Sequence, residues 1–333
     1  MIISANKYKT PLLACLSAVF FFTARSQTLP GFTATGVFDE QELTISDQWK
    51  DVILNINAPL QLKQTGKTYL VFFALPNGNS IEWTKGKKLK EGDDWHFDIQ
   101  HIAAQTRYVR QTDKKNNYII VYTMAAKKSW PAWKRSTRDS IFIIKNIVDS
   151  ISRLFKKYRP ETVLNGHSGG GSFIFGYLDA VENIPAGITR IAFLDSDYGY
   201  EEAKHAIKLV NWLKAGHRNK LLVLAYNDSI VVYNGKPLVS TTGGTWYRSR
   251  LMQKNLAAAF DFDTVADTAF IHHSALNKRI QIILKENPSG LLYHTEQVAR
   301  NGFMLSLLSA TKFDRKKYFT YFGQRVYQKF ISD

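Results

Sequence analysis

The chain has 333 residues, 45% of them hydrophobic and 13% aromatic, which is ample for a sizeable buried core. Its formal net charge is +16, yet the basic residues are spread as pairs, such as Lys87 with Lys88 and Lys316 with Lys317, and no nucleic-acid motif accompanies them. A single cysteine, Cys15, excludes a disulfide framework and a multi-cysteine metal site.

Residues 1–26 read as a secretory signal peptide. Lys7 and Lys9 form a short basic start, residues 11–23 an apolar run, and Ala24 and Ser26 supply small residues before a cleavage point ahead of Gln27. The run is shorter than the roughly 20 apolar residues of a permanent membrane span, so no transmembrane anchor is expected in the mature chain. Leu12, Leu13, Ala14 and Cys15 look like a lipoprotein box, but most of the apolar run follows the cysteine, which favours ordinary cleavage. The mature chain, residues 27–333, then has no thiol and no cysteine nucleophile. The signal-like stretch points to a secreted or periplasmic protein and the scattered basic pairs to a solvated basic surface; attraction to an anionic envelope or polyanionic glycan is the weaker alternative. Nothing in the residues indicates an oligomeric state or a nucleic-acid partner.

Residues 27–66 form a mainly β lead-in, with short strands at 42–45 and 52–56. Five nearly continuous apolar runs follow, at 69–75, 118–122, 162–164, 191–194 and 221–226, as expected for parallel strands covered on both faces. Helical patterns lie between them at 98–110, 139–158 and 201–215, the second carrying Ile144, Ile147, Val148 and Ile151 on one stripe. This alternation predicts a doubly wound, mostly parallel α/β sheet in a single domain. Residues 229–278 read as an insertion with a helix near 246–260, followed by strands at 280–284 and 291–293 about the turn 287–290. The tail from 298 to 327 is mixed and rich in aromatics.

The most informative stretch is Gly166, His167, Ser168, Gly169 and Gly170, a Gly-x-Ser-x-Gly pattern between an apolar strand and an apolar helix. That order suits a nucleophile elbow. A strained strand-to-helix turn lifts a serine hydroxyl clear of the sheet, and glycines remove side chains that would collide. The Gly-Lys-Ser/Thr of a phosphate loop is missing.

On these residues the chain resembles the α/β-hydrolase superfamily of serine hydrolases. The resemblance spans most of residues 69–308, with specific support at the elbow and in the order of its partners. It implies Ser168 as nucleophile, then an acid, then a histidine late in the chain. Asp228, ending the strand at 221–226, takes the usual place of the acid; Asp197 is the alternative and Asp195 the third choice. His294 suits the base, with His272 and His273 inside the insertion, and His167 is expected to pack beneath the turn. The oxyanion donors are expected from the Gly169 amide and from the loop holding Asn77, Gly78 and Asn79. Trp83, Trp95, Trp130, Trp133 and Trp246 are candidates to line a cleft. Asp93 and Asp94 read as helix caps rather than metal ligands. No cofactor and no metal are implied.

The expected function is hydrolysis of a carboxylic ester, on a small-molecule or glycan-linked substrate, through an acyl-enzyme. A serine peptidase or amidase would use the same triad. A catalytically idle glycan-binding module on the same fold belongs to a different class.

Overall fold

Near-continuous apolar runs become a sheet buried on both faces. In this computed structural model the described residues are 28–93 and 99–332, so the expected signal peptide and residues 94–98, with Trp95, lie outside them. The lead-in forms β1 (Thr33–Ala34), β2 (Glu40–Ile45) and β3 (Val52–Pro59). Then come β4 (Thr68–Ala74), β5 (Asn117–Ala125), β6 (Glu161–His167), β7 (Ile188–Leu194) and β8 (Lys220–Tyr226). A hairpin of β9 (Val232–Tyr233) and β10 (Lys236–Pro237) stands apart from the main sheet. The last strands are β11 (Asp263–Ala266), β12 (Phe270–Ala275) and β13 (Ile280–Lys285).

The described residues form an eleven-stranded sheet in the order β1-β2-β3-β5-β4-β6-β7-β8-β13-β12-β11. From β5 to β13 every neighbouring pair is parallel, and antiparallel strands extend both edges. The chain enters at β4, steps outward to β5, then returns past β4 to β6. That reversal opens a crevice beyond the carboxyl ends of β4 and β6, where ligands bind in sheets of this kind.

Helices α1 (Ile81–Lys85), α2 (Ile102–Thr112), α3 (Trp130–Ser136), α4 (Ser140–Leu154), α5 (Gly171–Asp179), α6 (Glu202–Ala215), α7 (Thr245–Ala257) and α8 (Phe303–Leu308) surround the sheet. Along β4, Leu70, Phe72 and Ala74 face a core shared with α3 to α7, while Val71 and Phe73 face one shared with α2, α8 and the aromatic tail. This alternation is the reason the strand is apolar throughout. Among the described residues no helix is long and apolar enough to cross a membrane.

Three expectations are corrected. Residues 291–293 are not a strand: Leu291 and Leu292 are exposed, and the Asn287 side chain, bonded to Leu291 N and O and to Asn227 O, holds the segment as a surface loop. The stretch 229–278 is only partly an insertion, because α7 is the crossover between parallel β8 and β13, and β11 with β12 continues the sheet. Asp93 caps no helix among the described residues, and Asp94 lies outside them. The Asp93 carboxylate accepts from Lys90 N at 2.8 Å and Lys87 Nζ at 3.0 Å.

The lead-in is fastened by a buried ion cluster. Glu40, 2% exposed, accepts from Arg107 Nη2 at 2.8 Å and from Arg110 Nη1 at 2.7 Å, joining β2 to α2. Removing the carboxylate leaves two guanidinium groups short of a partner, so Glu40→Gln is expected to lower unfolding free energy by about 3–5 kcal/mol in a urea titration. A loss under about 1 kcal/mol would show that the cluster is not structurally important.

Candidate active site

β6 ends at His167, and Ser168 adopts φ +54°, the left-handed region that costs a residue with a Cβ and persists only under constraint. The constraint is visible in what surrounds the turn. A Cβ at Gly171 would stand 1.6 Å from the Ser196 carbonyl oxygen, so the start of α5 is pressed onto the exit of β7. A Cβ at Gly169 would lie 2.1 Å from Asn77 Oδ1, which places the Asn77 carboxamide directly against the turn.

Ser168 and His294 line one cavity of about 700 Å³, together with Asn77, Gly169, Ser196 and Tyr198. His294 Nδ1 donates to Asp195 Oδ2, and Asp195 is fully buried while the imidazole is partly exposed. Donation from Nδ1 leaves Nε2 as the lone-pair nitrogen, the form a general base needs. Among the described residues the Ser168 hydroxyl makes no hydrogen bond; contacts between nucleophile and base are often long in free enzymes and tighten on binding.

Asp228, the acid expected after β8, does not meet His294. Its Oδ2 accepts from Thr245 N at 2.8 Å and its Oδ1 from Trp246 N at 3.3 Å, so it caps α7. Register explains the substitution. Leu194 pairs with His167, so the residue after β7 emerges beside Ser168, whereas β8 lies one strand further out. Asp197 does not reach the imidazole either: its Oδ2 accepts from Ser249 Oγ at 2.8 Å. Burial, with the Asp195 and Asp228 charges nearby, pushes its carboxyl well above the usual carboxylate range.

Thr245 links the two remaining acids. Its hydroxyl donates to Asp195 Oδ1 and lies 3.3 Å from Asp228 Oδ2. Asp228 thus fixes the first turn of α7, and that turn orients Asp195. Sequence reasoning missed Thr245, and its place behind Gly244 in a glycine pair is the only signal for a cap there.

His167 packs beneath the turn, as expected, and also does something the sequence does not show. Burial pushes its ring well below the usual histidine range, and the neutral Nε2–H donates to the His294 carbonyl at 3.0 Å. The two rings lie 4.5 Å apart. The residue beside the candidate nucleophile therefore holds the backbone of the candidate base.

In the loop after β4, the Gly78 amide donates to the Lys128 carbonyl at 2.8 Å, and Asn79 is buried away from the cavity. Only Asn77 of that trio faces Ser168. His272 and His273 lie on β12, one strand in from the far edge of the sheet and three strands from β7. Trp130 and Trp133 pack edge to face in the core, and neither Trp83 nor Trp246 lines the cavity. Its apolar wall is Phe175, Tyr198, Tyr233, Leu238 and Leu292 instead.

No family model matches the chain, and no curated protein matches it in sequence. Among solved structures it is similar to a thermostable esterase, at 13% identity and TM-score 0.49, over 81% of this chain and 63% of that one. It is also similar to a feruloyl esterase module from Clostridium thermocellum, at 10% identity and TM-score 0.48, over 84% of this chain and 90% of that one. A siderophore hydrolase from Aspergillus nidulans aligns at 13% identity and TM-score 0.41, over 82% of this chain and 95% of that one.

Two outcomes follow from the carboxylates. Asp195→Asn is expected to lower kcat by about 10³–10⁴, and Asp228→Asn by less than about tenfold. The reverse order would return the orienting role to Asp228. Burial and the neighbouring Asp195 charge push Asp228 up to about 6 from 3.8. The folded chain then holds this proton more tightly than the unfolded chain, so the associated stability is present below pH 3.8 and is lost as pH rises through about 6. Between about pH 4 and pH 7 the melting temperature of Asp228→Asn should decline less steeply than that of the wild type. Parallel curves would refute the shift.

Proposed function

We propose that this chain is an exported serine hydrolase that cleaves a carboxylic ester through an acyl-enzyme on Ser168. The observation that carries this reading is the convergence, in one cavity, of a serine with φ +54° at a strand-to-helix turn and a histidine bonded to a buried aspartate. His294 Nε2 takes the Ser168 proton as the oxygen attacks the ester carbonyl. Asp195 holds the imidazole in the required tautomer and stabilises the imidazolium. The oxyanion is met by the Gly169 amide and by a donor from Asn77. Imidazolium then protonates the departing alkoxide, and a water activated by His294 hydrolyses the acyl-serine.

Export rests on residues 1–26, the signal-like stretch. The apolar wall of Phe175, Tyr198, Tyr233, Leu238 and Leu292 suits an aryl or alkyl portion of the substrate. Lys134, Asp179 and Glu201 give the same cavity a polar side that favours a substituted rather than a purely hydrocarbon ester.

A fluorophosphonate probe is expected to label the wild-type protein and to leave Ser168→Ala unlabelled. Short p-nitrophenyl esters should turn over at least about a hundredfold faster than the matching p-nitroanilides. Labelling that persists in Ser168→Ala would remove this serine from the mechanism. Faster cleavage of the anilides would make the protein an amidase.

A further inference from the structure

The pole of the sheet opposite Ser168 carries its own concave surface. Three pockets, of about 730, 530 and 290 Å³, lie at the amino-terminal ends of β4 to β8. They share Lys63 and Lys67 between the first two, and Lys67 and Tyr69 between the first and third, so they form one groove. Lys63, Lys114, Lys115, Lys157, Arg159 and Lys312 line it as exposed cations, and none has a carboxylate partner among the described residues. Lys67 and Arg218 share one carboxylate, Glu161, at 3.1 and 2.8 Å. The other lining acid, Asp113, is occupied by the Tyr118 hydroxyl at 2.8 Å and Asn116 Nδ2 at 2.7 Å.

So many uncompensated cations around a concavity repel one another unless an anion enters. At the inner end of the groove, burial and then the Arg190 guanidinium push Lys220 down to about 7. Aromatic rings sit among the charges, with Tyr69 stacked on Tyr118 at 5.0 Å and Lys312 Nζ 5.0 Å from the centre of the Phe313 ring. Among the described residues, none of the large exposed apolar side chains lines the groove, as insertion into a membrane surface would require. A groove with cations on its rim and rings on its walls fits a chain of sugars bearing anionic groups.

We propose that this groove docks an acidic polysaccharide, with its carboxylate or sulfate groups paired to Lys63, Lys115 and Lys312. The inference is independent of the hydrolase reading, because the groove lies roughly 20 Å from Ser168, the length of a seven-residue strand. A protein held by this pole keeps its cavity open to solvent on the far side.

Heparin-derived oligosaccharide is the probe, measured by calorimetry and by salt elution from the immobilised sugar. The variant K63E/K115E/K312E is expected to bind at least about tenfold more weakly than wild type, and the control K50E/K127E/K254E, of equal net charge, less than about threefold. Both should keep the wild-type melting temperature. If the charge-reversed groove variant melts early, K63Q/K115Q/K312Q is measured in its place, with weakening again expected. Equal weakening by the groove and control sets would overturn the proposal, since net charge alone would then account for binding. Tighter wild-type binding to phosphatidylglycerol vesicles than to the oligosaccharide, at equal concentration of anionic groups, would overturn it in favour of a membrane.

Discussion

The close packing of two neighbouring strand exits against one turn is the constraint on which the site depends. Ser168 holds a left-handed backbone because α5 cannot move away: Gly171 touches the Ser196 carbonyl on one side, and Gly169 touches Asn77 on another. Ser196 adds a hydrogen bond from its hydroxyl to the Gly166 carbonyl at 2.9 Å. Strain at one residue is affordable when the surrounding contacts fix its neighbours on every side. The same contacts bring a loop from β4, an acid from β7 and the serine from β6 to one mouth.

A second constraint is electrostatic. Asp195, Asp197 and Asp228 are all buried around the start of α7, a concentration of carboxylates that isolated burial would not tolerate. The first amides of α7, the Thr245 hydroxyl and the Ser249 hydroxyl supply donors, and the helix dipole adds favourable potential. The three acids then divide by environment. Asp195 receives Thr245 and His294 on separate oxygens, Asp228 receives backbone amides, and Asp197 keeps one oxygen without a partner. Only the first has the geometry to orient an imidazole.

The two poles of the sheet differ in kind. At the carboxyl ends the strands expose side chains that converge on Ser168, framed by apolar residues from the β9–β10 hairpin and from the loop before His294. At the amino ends, lysines and arginines from several connections face solvent with few carboxylates between them. The net charge of +16 is therefore not spread evenly, although the linear sequence scatters it in pairs. Adjacent strand entrances bring Lys63, Lys115 and Lys312, far apart along the chain, to one groove.

Much was legible in the chain itself. Continuous apolar runs identified β4 to β8, because a strand covered on both faces carries hydrophobic residues in every position. The Gly-x-Ser-x-Gly spacing pointed to a strand-to-helix turn at Ser168, and the order expected from the resemblance favoured His294 over His272 and His273, although the strand expected before it is a loop. The runs and the turn are local signals, set by steric limits on a few consecutive residues. The acid was not legible in the same way. Asp195, Asp197 and Asp228 all end apolar strands, and only the pairing of Leu194 with His167 shows which one emerges beside the serine. The role of Thr245, the grip of His167 on the His294 carbonyl and the basic groove are equally hidden, because each joins residues far apart along the chain. Sequence determines which segments become strands and turns; the order and register of those strands, decided by packing in three dimensions, determine which side chains meet.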